Sequence, residues 1–271
     1  MKTLLYAFLL LSATALAGQS SSTPVPVTIS GTEVFTLPAT QTGSTYHIRV
    51  YLPEGYATSA KKYPVLYLLD GDHAFAMATD IVTYMQYGKH IPELIIVSPA
   101  YNDKSGPDQG GLNERRRDFS PFKWDAVPSD PGAEAYYAFF TETLIPHIEK
   151  TYRTDPEDRT IWGYSRSGLF VLWTLFEKPG IFQRYIALDT GFHLFSELEE
   201  RYHSQQQSLP ASLFIGYGSV GNGKNDLAFM ETLASRKYKK FRCEYLALQG
   251  GKHLMIPANG LALGLEFVFG N

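Results

Sequence analysis

Two stretches without a polar residue, Pro64-Val65-Leu66-Tyr67-Leu68-Leu69 and Leu94-Ile95-Ile96-Val97, constrain the fold more than any other feature of the chain. A strand with one wet face alternates apolar and polar residues. A strand that is apolar throughout must be covered on both faces, which is the situation of parallel strands with helices above and below. Upstream, Thr32 to Leu37 and Tyr46 to Leu52 do alternate, and Thr40-Gln41-Thr42-Gly43-Ser44 between them reads as a hairpin turn at a sheet edge. Downstream, strand-like and helix-period stretches take turns. The clearest helix is Ala133 to Tyr152, with Tyr136, Phe139, Phe140, Leu144 and Ile148 on one side. Further strands are expected at Arg159 to Gly163, Tyr185 to Leu188, Ser212 to Tyr217 and Cys243 to Leu248, and helices around Gly168 to Glu177, Asn225 to Arg236 and Pro257 to Phe267. The order predicts an α/β chain with a mostly parallel central sheet, an antiparallel N-terminal edge and helices on both faces. Ligand chemistry in such sheets lies outside the carboxyl ends of the strands, where Asp70, Ser165, Asp189, Gly218 and Gln249 all fall.

Lys2, an apolar run from Leu4 to Leu11 and the small-residue site Ala15-Leu16-Ala17 read as a secretory signal peptide over residues 1–17. Residues 18–271 are then expected to form one exported domain, soluble and without stable membrane association after cleavage. The net charge of −3 supplies no domain-wide basic field, so nucleic acid is not an expected partner. With one cysteine, Cys243, an internal disulfide is impossible and the core must hold the fold, which 44% hydrophobic residues allow. No metal-ligand spacing occurs, and no cofactor is expected.

The sharpest local motif runs from Ile161-Trp162 through Gly163-Tyr164-Ser165-Arg166-Ser167-Gly168 into Leu169-Phe170-Val171-Leu172-Trp173. It approaches the strand-turn-helix elbow G-x-S-x-G, which exposes a serine hydroxyl above the sheet and aims the start of a helix at the reaction centre. Ser165 is the candidate nucleophile. Ser167 stands where the pattern has glycine, and the neighbouring Gly168 is a second place where helix and strand could approach closely.

These landmarks come in order with Tyr63 to Gly71, Arg115-Arg116-Arg117-Asp118-Phe119-Ser120-Pro121, Leu144 to Arg153 and Gly250-Gly251-Lys252-His253. Together they resemble the esterase branch of the α/β-hydrolase fold, the group that includes esterase D, feruloyl esterases and siderophore esterases, over nearly the whole of residues 18–271. The chain departs from that branch at Ser167, at Asp189-Thr190-Gly191 where Ser-Pro-Ser is usual, and at Gly221 or Asn222 where an acid often stands.

The resemblance implies a serine ester hydrolase acting on a small carboxylic ester or lactone, including siderophore-type or phenolic esters, through an acyl-enzyme on Ser165. The chain order nucleophile, acid, histidine points to His253 as general base, the one histidine after the final strand. For the acid, Asp226 lies in the expected interval; Asp189 and a Ser-His dyad without an acid are the alternatives. The backbone N–H of Arg166 and that of Asp72 or Gly71 are expected to form the oxyanion hole. Arg115, Arg116 and Tyr164 are the candidate substrate contacts, although an Arg117 and Asp118 network anchoring the long loop after Tyr101 is an equally good reading of that basic run. Phe192 to Leu209 reads as a small cap over the site. Two other readings remain open: a hydrolase-fold binding protein with a degenerate site, motivated by the departures, and an acyltransferase.

Overall fold

The computed structural model describes residues 24–102, 113–123, 130–219 and 224–270. The expected signal peptide lies outside the described residues, as do Gly221 and Asn222. Residues 24–30 are irregular chain, and Gly31–Asn271 forms one compact unit.

The sheet consists of β1 (Thr32–Ala39), β2 (Ser44–Tyr51), β3 (Tyr63–Leu68), β4 (Ile95–Ala100), β5 (Thr154–Tyr164), β6 (Arg184–Leu188), β7 (Ser208–Gly218) and β8 (Lys239–Leu248). Their spatial order is β1-β2-β4-β3-β5-β6-β7-β8. The β1–β2 hairpin is antiparallel and β2 meets β4 antiparallel, whereas β3 through β8 are paired in parallel. The chain moves from β3 outward to β4 and then returns to lay β5 on the other side of β3. The C-terminal ends of β3 and β5 therefore lie side by side at the point where the winding reverses, with Leu68 opposite Trp162.

The helices are α1 (Gly71–Tyr87), α2 (Asn113–Asp118), α3 (Ala133–Phe139), α4 (Ile145–Thr151), α5 (Arg166–Glu177), α6 (Ser196–Gln205), α7 (Lys224–Ser235) and α8 (Ile256–Phe269). A π-helical turn, Phe140–Leu144, joins α3 to α4. The pleat of the parallel strands explains the continuous apolar runs. Tyr63, Val65 and Tyr67 of β3 enter a core shared with Tyr136, Phe140, Ile148 and Phe170, while Leu66 and Leu68 enter a second core shared with Ala78, Val82, Leu261 and Leu265. Helices α3, α4 and α5 thus cover one face, and α1 and α8 the other. Each fully buried side chain of this kind contributes about 1.5–3 kcal/mol of transfer free energy. In the first core the ring of Tyr136 stands edge-on to Phe140 and Phe170, with centroids 5.2 Å from each.

Strands β5, β7 and β8 begin several residues before their apolar stretches. Their leading residues bury few side chains and so lack an apolar pattern: Asp155 to Asp158 fall in the register break between the Tyr63–Thr154 and Val65–Arg159 pairs, and Lys239 pairs with Ser208 at the sheet margin. The Phe192 to Leu209 segment forms a 3₁₀ turn, Phe192–Phe195, and then α6 before entering β7. Phe192 and Phe195 are fully buried. Glu199 of α6 is also buried, and it accepts hydrogen bonds from Arg236 Nη2 at 3.0 Å and Tyr238 Oη at 2.7 Å, which pin α6 to the chain after α7.

Candidate active site

Strand β5 ends at Tyr164 and α5 begins at Arg166, so the whole reversal falls on Ser165, whose φ is 56° and ψ −119°. A non-glycine residue occupies that region only where its surroundings enforce it. Two contacts do so here. The Ser165 N–H donates to Leu188 O at 2.8 Å, and Gly163 leaves room for the returning helix, since a Cβ there would lie 2.5 Å from Ser167 O. Gly168 lies close to the chain just after β6, though less tightly, with a hypothetical Cβ 3.0 Å from that of Thr190.

The Ser165 Oγ is 3.0 Å from His253 Nε2. The imidazole Nδ1 is 2.6 Å from Asp189 Oδ2, and Asp189 Oδ1 accepts the Gly218 N–H at 2.8 Å. A carboxylate on Nδ1 fixes the tautomer with the proton on that nitrogen, leaving Nε2 to accept from the serine. His253 comes back over the strand ends because Gly250 takes φ 68° and Gly251 packs where a side chain would strike Leu248 O. Tyr164 holds it there. Its hydroxyl donates to His253 O at 2.8 Å, and its ring lies 4.7 Å from the imidazole.

Asp226 was the first expectation for the carboxylate, and the structure corrects it. Asp226 Oδ1 accepts the backbone N–H of His193 at 2.9 Å and lies 2.7 Å from His193 Nδ1, tying α7 to the 3₁₀ turn of the cap. The carboxylate beside His253 is that of Asp189 at the end of β6, so neither the acid after β7 nor the acid-free dyad describes the arrangement. Asp189 reaches inward because it leaves the strand with φ 42°.

Arg166 opens α5, and Gly71 and Asp72 open α1, so the three expected oxyanion-hole residues sit in the first turns of the helices that follow the neighbouring strands β5 and β3. The turn before α1 is held on several sides. Arg49 donates to Gly71 O and, at 3.0 Å, to Asp72 Oδ1; the Tyr101 N–H donates to Asp72 Oδ2 at 2.7 Å. Asp70, at φ 59° and ψ 42°, is gripped by Arg115 and Ser167.

The substrate-contact expectations divide. Arg115 is buried with its guanidinium bidentate on Asp70, and Tyr164 braces His253, so both serve the framework of the site. Arg116 is half-buried near Arg166, whose side chain donates to Ser120 Oγ at 3.4 Å. Burial, followed by the charges of Arg115 and Arg116, pulls the Arg166 pKa below the usual guanidinium value. An arginine stays charged under such a shift, so positive charge is concentrated beside Ser165. Sequence reasoning did not single out the Arg166 side chain, because its proximity to Arg116 is set by loop packing. Arg117 and Asp118 form the anchoring network: Asp118 accepts from Arg117 Nε at 2.8 Å, Tyr46 Oη at 2.6 Å and Tyr101 Oη at 3.1 Å, joining α2 to β2.

Comparison with known proteins agrees with this architecture. The sequence model of the family described as "Putative esterase" matches residues 39–192. Ferri-bacillibactin esterase BesA of Bacillus subtilis is 31% identical over 264 residues, 89% of this chain and 90% of that protein. The siderophore triacetylfusarinine C esterase of Aspergillus fumigatus is 28% identical over 208 residues, 70% of this chain and 69% of its own length. Among solved structures, the BES protein from Bacillus cereus superposes with a TM-score of 0.79 at 24% identity, covering 92% of this chain and 98% of that one, and so shares the α/β-hydrolase fold.

Proposed function

The chain belongs to the esterase family of α/β hydrolases and is a carboxylic ester hydrolase, and from that premise we propose that it cleaves siderophore-type esters or lactones through an acyl-enzyme on Ser165. The observation that carries the mechanism is the continuous contact from Ser165 Oγ to His253 Nε2 at 3.0 Å and from His253 Nδ1 to Asp189 at 2.6 Å. Ser165 Oγ attacks the ester carbonyl while His253 Nε2 takes its proton, and Asp189 stabilises the imidazolium without accepting the proton itself. The negative oxygen that develops is received by backbone N–H groups of Arg166 and of Gly71 or Asp72. His253 then gives its proton to the departing alcohol. Water, activated by the same imidazole, releases the acyl group and restores the serine.

The siderophore class is supported by the names of the two curated relatives and by the arginines beside the nucleophile, which suit an acyl portion bearing anionic oxygens. We further propose that residues 1–17 are removed on export and that residues 18–271 act as one domain. Two of the three departures that motivate the degenerate-site reading, Ser167 and Asp189, have hydrogen-bond partners within the site, which favours the hydrolase; the third, at Gly221 or Asn222, lies outside the described residues.

The test is hydrolysis of a ferric trilactone siderophore and of p-nitrophenyl butyrate by residues 18–271, beside Ser165→Ala and His253→Ala. Linear hydroxy-acid products seen by mass spectrometry, and absent with both variants, are the expected result. Turnover of p-nitrophenyl butyrate alone would overturn the siderophore assignment and leave the serine mechanism standing. Turnover that persists in Ser165→Ala would overturn the mechanism.

A further inference from the structure

The residue two beyond the nucleophile is fully buried, and its hydroxyl is engaged in both directions. The Tyr164 N–H donates to Ser167 Oγ at 2.8 Å, and Ser167 Oγ lies 2.6 Å from Asp70 Oδ2 and 2.9 Å from Tyr164 O. A hydroxyl has one proton, and the shorter, charge-assisted contact to the carboxylate takes it. A single oxygen therefore links the residue before the nucleophile to the residue before the expected oxyanion donors Gly71 and Asp72.

Sterics do not demand glycine at this position. The close approaches that call for glycine are met at Gly163 and Gly168, where an added Cβ would lie 2.5 Å from Ser167 O and 3.0 Å from Thr190 Cβ. At 167 there is room for a Cβ and a hydroxyl, and the room is filled by a polar bridge. Its far end is also unusual. Asp70 sits in the left-handed region, which aspartate visits only with local support, and its carboxylate is buried, which is costly without donors. Arg115 supplies two N–H groups and neutralises the charge; Ser167 supplies the third donor.

We propose that Ser167 is a positioning residue: through Asp70, with Arg115 as counter-charge, it sets the turn carrying Gly71 and Asp72 relative to the elbow carrying Ser165 and Arg166, and so fixes the geometry of the oxyanion hole. This rests on the reading of Ser165 as nucleophile. The two halves of such a hole come from different strands, β3 and β5, and the hydrogen bonds between those strands end at Leu69 N–H to Trp162 O. Beyond that point Ser167 to Asp70 is the contact that carries the register on. Its loss leaves Asp70 still paired with Arg115, so the fold is retained while the donors lose their fixed separation.

The experiment measures kcat and KM for p-nitrophenyl butyrate, and Ki for a phenylboronic acid that adds to Ser165 as a tetrahedral anion, in the parent, S167G, S167A, D70N and S167A/D70N. Fluorophosphonate labelling of Ser165 and thermal midpoints accompany them. Misplacing catalytic groups by about 1 Å costs on the order of 10²-fold, so S167G and S167A are expected to lower kcat about 10- to 100-fold and to weaken boronate binding by a similar factor. KM should stay within about 3-fold, since ground-state binding is not the property lost. S167A is expected to cost less in the D70N background than in the parent, because contacting residues acting as one unit are not additive. An S167G enzyme as fast as the parent, an unchanged boronate Ki or a fully additive cycle would overturn the proposal while leaving the hydrolase standing. A folded parent whose Ser165 does not react with fluorophosphonate would overturn the serine mechanism and this proposal together.

Discussion

At the scale of single residues, two Asp-His pairs of similar geometry have different surroundings. Asp189 holds His253 against Ser165, while Asp226 holds His193 in the cap. Removing the charge from each should separate their roles. Asp189→Asn is expected to lower kcat by about 10³- to 10⁴-fold, the usual consequence of losing the group that orients a catalytic histidine. Asp226→Asn should leave kcat within about 3-fold and act, if at all, on thermal stability. Steady-state kinetics on p-nitrophenyl butyrate together with thermal midpoints decide this, and equal losses of kcat in the two variants would contradict the assignment.

At the scale of elements, the site depends on how closely β7 approaches the loop that carries His253. A Cβ on Gly218 would lie 2.5 Å from Gly251 O, a backbone atom that moves only with its loop, and the N–H of the same glycine orients Asp189. Gly218→Ala should therefore displace both partners of the imidazole, lowering kcat by about 10²-fold with KM nearly unchanged; kinetics within 2-fold of the parent would disprove the tight fit. Much of this level is legible in the sequence, because hydrophobic burial writes itself as pattern. The unbroken runs at Pro64 to Leu69 and Leu94 to Val97 coincide with strands covered on both faces, and Ser165 and His253 stand at the ends where the winding order puts them. What is not legible depends on distances between elements far apart in sequence. Asp189 and Asp226 are chemically alike, and only the parallel placement of β6 beside β7, with the left-handed exit at Asp189, brings one of them to His253. Likewise Arg115 reads as an open cation until β3 places Asp70 against it.

For the molecule as a whole, the net charge of −3 conceals an uneven distribution. Burial, and then the nearby charges of Arg115 and Arg116, depress the pKa of Arg166, which directly follows Ser165. A local positive field in an otherwise acidic protein draws anionic substrates at low salt and is screened as the Debye length shrinks from about 30 Å to a few ångströms. Raising the salt from about 0.01 M to about 0.5 M should lower kcat/KM several-fold for mono-p-nitrophenyl succinate, whose acyl group is anionic, and by less than 2-fold for neutral p-nitrophenyl butyrate. Arg116→Gln should remove most of that contrast; an identical salt response for the two esters would refute a role for the arginines in selecting substrate.

The carboxylate beside the histidine comes from β6, one strand earlier than the usual order of this fold. The same exit from β6 runs within three residues into the Phe192–Phe195 turn and α6, and Asp226 of α7 is tied to that turn instead of to His253. One connection thus holds both the partner of His253 and the root of the cap, so a change in its length is expected to be felt at both together.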